Sequence, residues 1–165
     1  MKLSELKEET AIEFQLIETV VKEINALQIE VAGRNPTVRE KTAASAFLAQ
    51  FYGGIENILK RICKYHNVPL PTGDTWHTEL FRYFCDPPRQ PLPLLFDKKL
   101  TSALIPFRKF RHVVYHGYGF HIEWDRMKKG MEEVGNIFEQ VKGALNAYLD
   151  LLSVPNGLKN LSKNI

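Results

Sequence analysis

The chain has 165 residues, a length that suits one domain with a continuous apolar core. Apolar residues make up 44% of the sequence and charged residues 25%, a composition that argues against a disordered chain. The formal net charge of +3 is compatible with a polyanionic partner but does not identify one. The first ten residues, MKLSELKEET, lack the apolar segment of a signal peptide, and no run of about 18 apolar residues exists. We therefore expect a cytoplasmic protein with no membrane segment.

Apolar residues recur at steps of three and four along most of the chain, which is the spacing of amphipathic helices. In chain order the pattern predicts helices over residues 3–31, 36–66, 76–84, 94–115 and 124–152, the third of them short. Asn35 and Pro36 are expected to supply the N-cap and the first residue of the second helix. The sequence predicts an all-α fold, an antiparallel bundle of four main helices plus a short extra helix. One domain is expected over residues 1–153, followed by a polar tail over residues 154–165.

Several residues interrupt the helical pattern. Gly53 and Gly54 lie inside the second predicted helix, where each costs roughly 1 kcal/mol against alanine, so we expect another helix to approach closely there. The stretch CDPPRQPLP, residues 85–93, is too rich in proline for a helix or a central strand and predicts a surface loop. Pro106 is expected to bend the fourth helix. Cys63 and Cys85 stand outside any CxxC pattern and are predicted to be reduced thiols.

The stretch FRKFRHVVYHGYGF, residues 107–120, gathers cationic and titratable side chains at one predicted helix end. Between residues 107 and 129 there are six lysines or arginines and two acids. Arg111 and His116 are five positions apart, which on an unbroken helix separates them by about 140°. They cooperate only if the helix stops near His116, and Gly117 predicts that stop. Arg108 and His112 extend a basic stripe toward the same end.

These residue types suit the cleavage of RNA. The guanidinium of arginine is a planar, permanently charged fork that matches phosphate oxygens, and histidine transfers protons near neutral pH. RNA supplies its own nucleophile, the 2′-hydroxyl, so an Arg/His pair suffices in principle without a metal or another cofactor. His112 and His116 have a spacing that can bind zinc, but neither a cysteine nor an acidic residue at helical spacing completes a site.

Residues 111–118, RHVVYHGY, resemble the R-x4-H-x-Y signature of HEPN-domain ribonucleases, particularly the HepT toxins of HepT–MntA toxin–antitoxin pairs. Residues 51–63, FYGGIENILKRIC, are similar to the second helix of that family. The resemblance implies that Arg111 and His116 are a catalytic pair in a cleft between the two subunits of a homodimer. It also implies that a partner MntA-like nucleotidyltransferase, the antitoxin, attaches AMP to Tyr118. His112 stands where the family commonly has asparagine or another polar residue.

The leading hypothesis is a metal-independent endoribonuclease toxin that acts as a homodimer. His116 would be the general acid/base, Arg111 the clamp on the phosphate, and Arg108 with His112 the support that positions the RNA. The alternative is a non-catalytic helical module that binds nucleotide or a protein partner. The residues also allow structural interpretations: Arg111 as a solvated helix residue, Tyr118 as a ring packed on the bundle with its hydroxyl at the rim, and His66, His77 and His121 as capping or core residues.

Overall fold

The structure of the protein, a computed structural model, describes residues 1–154. It contains five α-helices and one turn of 3₁₀ helix, in the order α1 (Leu3–Glu30), α2 (Val38–Tyr65), α3 (Trp76–Arg82), α4 (Lys98–His116), the 3₁₀ turn (Gly119–His121) and α5 (Trp124–Ser153). The predicted all-α bundle of four long helices and one short helix is confirmed. The predicted tail, residues 154–165, lies outside the described residues except for Val154.

Helix α2 is the centre of the bundle, because it packs against each of the other four α-helices. Its Phe51 ring lies 5.0 Å from the ring of Phe107 on α4 and 6.4 Å from that of Phe138 on α5. Phe138 in turn lies 6.2 Å from Phe14 on α1. The four aromatic rings therefore join the four long helices in one core.

The glycine pair in α2 has two different surroundings. A Cβ added at Gly54 would lie 2.5 Å from Cγ1 of Ile17 on α1, so the prediction of close helix approach is confirmed at this position. A Cβ added at Gly53 would meet no atom within 4 Å. A few positions further along the same interface, Arg61 binds the buried carboxylate of Glu13 with Nη1 at 2.8 Å. The α1–α2 contact thus combines close backbone packing with a buried ion pair.

Two predicted helix starts were wrong, and side-chain capping explains both. Helix α2 begins after Thr37, whose hydroxyl accepts a hydrogen bond from the backbone N–H of Glu40, while the Glu40 side chain accepts from the N–H of Thr37. This reciprocal capping box replaces the Asn35–Pro36 start. Helix α4 begins after Asp97, which accepts a hydrogen bond from the N–H of Leu100, and not at residue 94. Pro106 is accommodated inside α4.

The segment between α3 and α4 is irregular, as its prolines predicted. Its one regular feature is an isolated bridge between Cys85 and Phe96, and no strand forms within residues 1–154. Cys63 is buried and Cys85 half-buried, and both are free thiols. None of the helices described is long and apolar enough to cross a bilayer.

Candidate functional site

The motif residues lie on the last two turns of α4 and the loop that follows. Helix α4 runs to His116, and Gly117 follows it in an extended conformation with φ −158°. The predicted stop at Gly117 is therefore confirmed. His116 is itself the last residue of the helix, so the separation of about 140° between Arg111 and His116 is retained.

Arg111 faces the interior of the bundle, with a side chain only 12% exposed. Its Nη1 atom lies 2.9 Å from Nε2 of His77 on α3, and its Nη2 atom lies 3.4 Å from Oε1 of Glu56 on α2. The guanidinium carbon lies 4.5 Å from the centre of the Tyr115 ring and 5.6 Å from that of Trp76. Its Nε atom is buried and has no hydrogen-bond partner among residues 1–154. These contacts fix the Arg111 side chain, so its interpretation as a solvated helix residue was wrong.

Glu56 lies on the buried face of α2 and forms ion pairs with the cations around it. Its side chain is 2% exposed. Oε1 is shared between Arg111 and Lys60, whose Nζ lies 3.4 Å away, and Oε2 lies 2.7 Å from Nδ1 of His77. Burial lowers the pKa of His77 below the usual 6.5, against the opposing influence of Glu56. The carboxylate therefore contacts two cations, Arg111 and Lys60, and the imidazole of His77.

His112 and His116 lie on the other, exposed side of α4. Their ring centres are 4.6 Å apart, which places two imidazoles side by side at the helix end. No hydrogen bond joins Arg111 to His116 in the part of the chain that the structure describes. A single chain therefore keeps the two predicted catalytic side chains on different faces of one helix.

Tyr118 is held out from the bundle by the loop that carries it. The residue is 68% exposed, and its ring lies 5.5 Å from the ring of Phe120 and 5.8 Å from that of His121. The loop is anchored at Gly119, where an added Cβ would lie 2.8 Å from the Cβ of the buried Ser45 on α2. The exposure of Tyr118 does not fit its interpretation as a ring packed against the bundle.

Arg108 lies at the side of α4 that faces α3. Its guanidinium carbon is 5.6 Å from the centre of the Phe81 ring, and the residue is half-buried. Arg108 and Arg111 thus both contact side chains of α3, while the rings of His112 and His116 lie side by side. Arg108 and His112 are four positions apart on α4, which is the spacing of the predicted basic stripe.

A groove of about 960 Å³ lies between α4 and α5. Its floor includes Phe110 and Ile137, and its rim carries four cations, Lys99, Lys109, Arg126 and Lys129, against the acids Glu123 and Glu133. Val113 and His121 also line it, so the groove opens beside the motif end of α4. Its surplus of positive charge suits an anionic partner.

Sequence reasoning missed Glu56 and His77. Glu56 had a detectable signal, since it is a lone acid on the apolar face of α2 and falls within residues 51–63, the stretch that resembles a known second helix. His77 had no such signal in the sequence, because it lies on a seven-residue helix and reaches Arg111 only through tertiary packing. Its largely buried position between Glu56 and Arg111 is compatible with the interpretation as a core residue. Within residues 1–154, no group of three or more His, Cys, Asp or Glu side chains is arranged to share a metal ion.

The chain matches the model of a known protein family. The family model described as HepT-like protein matches residues 43–152, about two thirds of the chain. The match spans α3, α4 and nearly all of α2 and α5, and so includes Glu56, His77 and the motif residues 111–118. No curated protein and no solved structure matches the chain. The protein belongs to the HepT-like family.

Proposed function

We propose that the protein is the toxin of a toxin–antitoxin pair and a metal-independent endoribonuclease, in which Arg111 binds the scissile phosphate and His116 transfers protons. Membership of the HepT-like family supports the toxin assignment. The observation that carries the chemistry is the fixed guanidinium of Arg111 near the same helix end as two exposed imidazoles. A guanidinium fixed before substrate arrives stabilises phosphorane charge without reorganising in the transition state.

The separation of Arg111 and His116 within one chain supports a composite site between two copies. The 2′-hydroxyl needs a group that accepts its proton and the leaving 5′-oxygen needs a group that donates one, whereas one chain supplies one motif histidine. A two-fold dimer through the motif end of α4 places two copies of each residue around one cleft. Three exposed apolar or aromatic side chains near that end would be covered by the second copy: Val113, Tyr115 and Phe120.

In this proposal RNA leaves the cleft along the basic groove between α4 and α5. The cations Lys109, Arg126 and Lys129 bind its backbone, and His112 binds the phosphate next to the scissile one. Arg108 supports the site from the α3 side. An MntA-like nucleotidyltransferase silences the enzyme by attaching AMP to Tyr118, whose exposure makes it accessible to a second protein.

The experiment that tests the function combines cells and purified protein. Expression of the wild-type chain should arrest growth and degrade RNA, and Arg111→Lys should relieve both effects, because an ammonium cannot bind phosphate through two N–H groups. The purified protein should cleave RNA equally well with and without EDTA. Loss of cleavage in EDTA would contradict the metal-free mechanism.

A second candidate is a non-catalytic helical module that binds nucleotide or a protein partner. The pairing of Arg111 with Glu56 favours it, since a paired guanidinium also serves a purely structural role. The same experiment discriminates, because this module would bind AMP or its partner while leaving RNA intact.

A further inference from the structure

His77 connects the buried carboxylate of α2 to the motif arginine of α4. Its Nδ1 lies 2.7 Å from Oε2 of Glu56, and its Nε2 lies 2.9 Å from Nη1 of Arg111. The imidazole also packs against Trp76, with ring centres 3.4 Å apart. Both ring nitrogens are therefore occupied, and the side chain is 18% exposed.

The chemistry of the two partners fixes the proton on this ring. Arginine only donates hydrogen bonds, so Nε2 of His77 must accept with its lone pair. The proton then sits on Nδ1 and is donated to the carboxylate of Glu56, which only accepts when ionised. His77 is thus a neutral imidazole in the Nδ1–H tautomer. With no free nitrogen it cannot exchange a proton with a substrate.

We propose that His77 is a positioning residue, which fixes the guanidinium plane of Arg111 at the site by accepting one hydrogen bond from it. Glu56 cannot do this alone, because its Oε1 is 3.4 Å from both Arg111 and Lys60 and does not select one orientation. The Tyr115 and Trp76 rings contact the guanidinium without directing its N–H groups. Within the described chain, the side-chain hydrogen bond of Arg111 is the one to His77.

The groups that face His77 make its hydrogen bond with Arg111 sensitive to acid. Glu56 and Lys60 face it from α2, and Arg111 faces it from α4. A proton added at Nε2 would point at the N–H of Arg111, so the hydrogen bond between them would be lost. The bond to Glu56 would remain.

The first test needs only the wild-type protein. In ¹⁵N NMR of histidine-labelled protein near neutral pH, the His77 signal, identified by its loss in His77→Gln, should show the proton on Nδ1. A proton on Nε2 would overturn the proposal. The Nη–H signals of Arg111 should be resolved, since a hydrogen-bonded guanidinium rotates slowly, and they should merge as the pH is lowered. Signals unchanged down to a pH at which His77 is protonated would also overturn it.

Two replacements of His77 separate positioning from packing. His77→Phe keeps a ring against Trp76 and removes both nitrogens, so the Arg111 signals should merge. His77→Gln should keep them resolved, because an amide carries a donor and an acceptor separated by one carbon, as imidazole does. His66→Phe is the matched control, since His66 is a half-buried histidine bonded to Tyr148 outside the site, and it should leave the Arg111 signals unchanged. Resolved signals in His77→Phe would contradict the role.

The activity arm rests on the proposed ribonuclease function. His77→Phe should slow RNA cleavage about a hundredfold, the cost of a misplaced catalytic group, and His77→Gln should restore most of the rate. Adding His77→Phe to Arg111→Ala should cause no further loss, because His77 acts through Arg111. Additive losses would refute the proposal. If the wild-type protein cleaves no RNA, the ribonuclease function fails, while the NMR measurements still decide the role of His77.

Discussion

Nη1 of Arg111 lies 2.9 Å from Nε2 of His77, although the two residues belong to different helices and are 34 positions apart in sequence. The contact ties α3 to α4, and Glu56 extends it to α2. The position of the short helix α3, which has few core residues, therefore depends in part on a hydrogen bond that requires a neutral His77.

Acid should destabilise the fold between about pH 7 and pH 5. Burial lowers the pKa of both His66 and His77 below 6.5, so these side chains resist protonation in the folded state. The unfolded chain then binds more protons than the folded chain, and the free energy of unfolding falls as the pH drops through about 6.5. Urea titrations at several pH values measure this, and His66→Gln should reduce the dependence. A free energy of unfolding that rises on acidification would contradict the account.

The two glycines of α2 should respond oppositely to replacement by alanine. Gly54→Ala should lower the free energy of unfolding by about 1–3 kcal/mol, because its methyl group would overlap the buried Ile17. Gly53→Ala is the matched control and should raise it by up to about 1 kcal/mol, since the site is open and alanine favours helix. Urea unfolding of both variants tests the α1–α2 contact, and equal effects would show that the helices do not meet at Gly54.

The sequence predicts the bundle well because helix formation depends on the local spacing of apolar residues, and the four long helices keep that spacing for many turns. It predicts helix starts less well because several residues compete for the cap, as Asn35 and Thr37 do before α2. The motif at residues 111–118 is contiguous and is found from sequence. The contacts of Arg111 with Glu56 and His77 cannot be found from sequence, because they join three helices across long stretches of sequence.

AMP should be attached at Tyr118 and not at the neighbouring Tyr115. The two rings are almost equally exposed, at 68% and 69%, but Tyr115 lies against Arg111 on α4 while Tyr118 stands on the loop beyond it. After co-expression with an MntA-like nucleotidyltransferase, intact mass should show AMP on the wild-type protein and on Tyr115→Phe, and none on Tyr118→Phe. Equal modification of Tyr118→Phe and wild type would exclude Tyr118 as the acceptor.

The protein should be a dimer through the motif end of α4. Light scattering at micromolar concentration should give twice the chain mass of 19.0 kDa. Val113→Glu should shift the mass toward monomer, since it places a charge on the proposed interface, whereas Leu16→Glu, an exposed apolar position on α1, should not. Dissociation by Leu16→Glu alone would place the interface on α1, away from the motif.

The catalytic role of His116 is tested most directly by its replacement beside a matched histidine. His116 and His121 are both exposed and lie five positions apart at the same end of the molecule. The rate of RNA cleavage by purified protein in EDTA should fall by about 10²–10⁴ in His116→Ala, the usual cost of losing a general acid/base. It should fall far less in His121→Ala, because His121 lines the groove but transfers no proton in this mechanism, and the circular dichroism of both variants should be unchanged. Cleavage by His116→Ala at the wild-type rate would contradict the account.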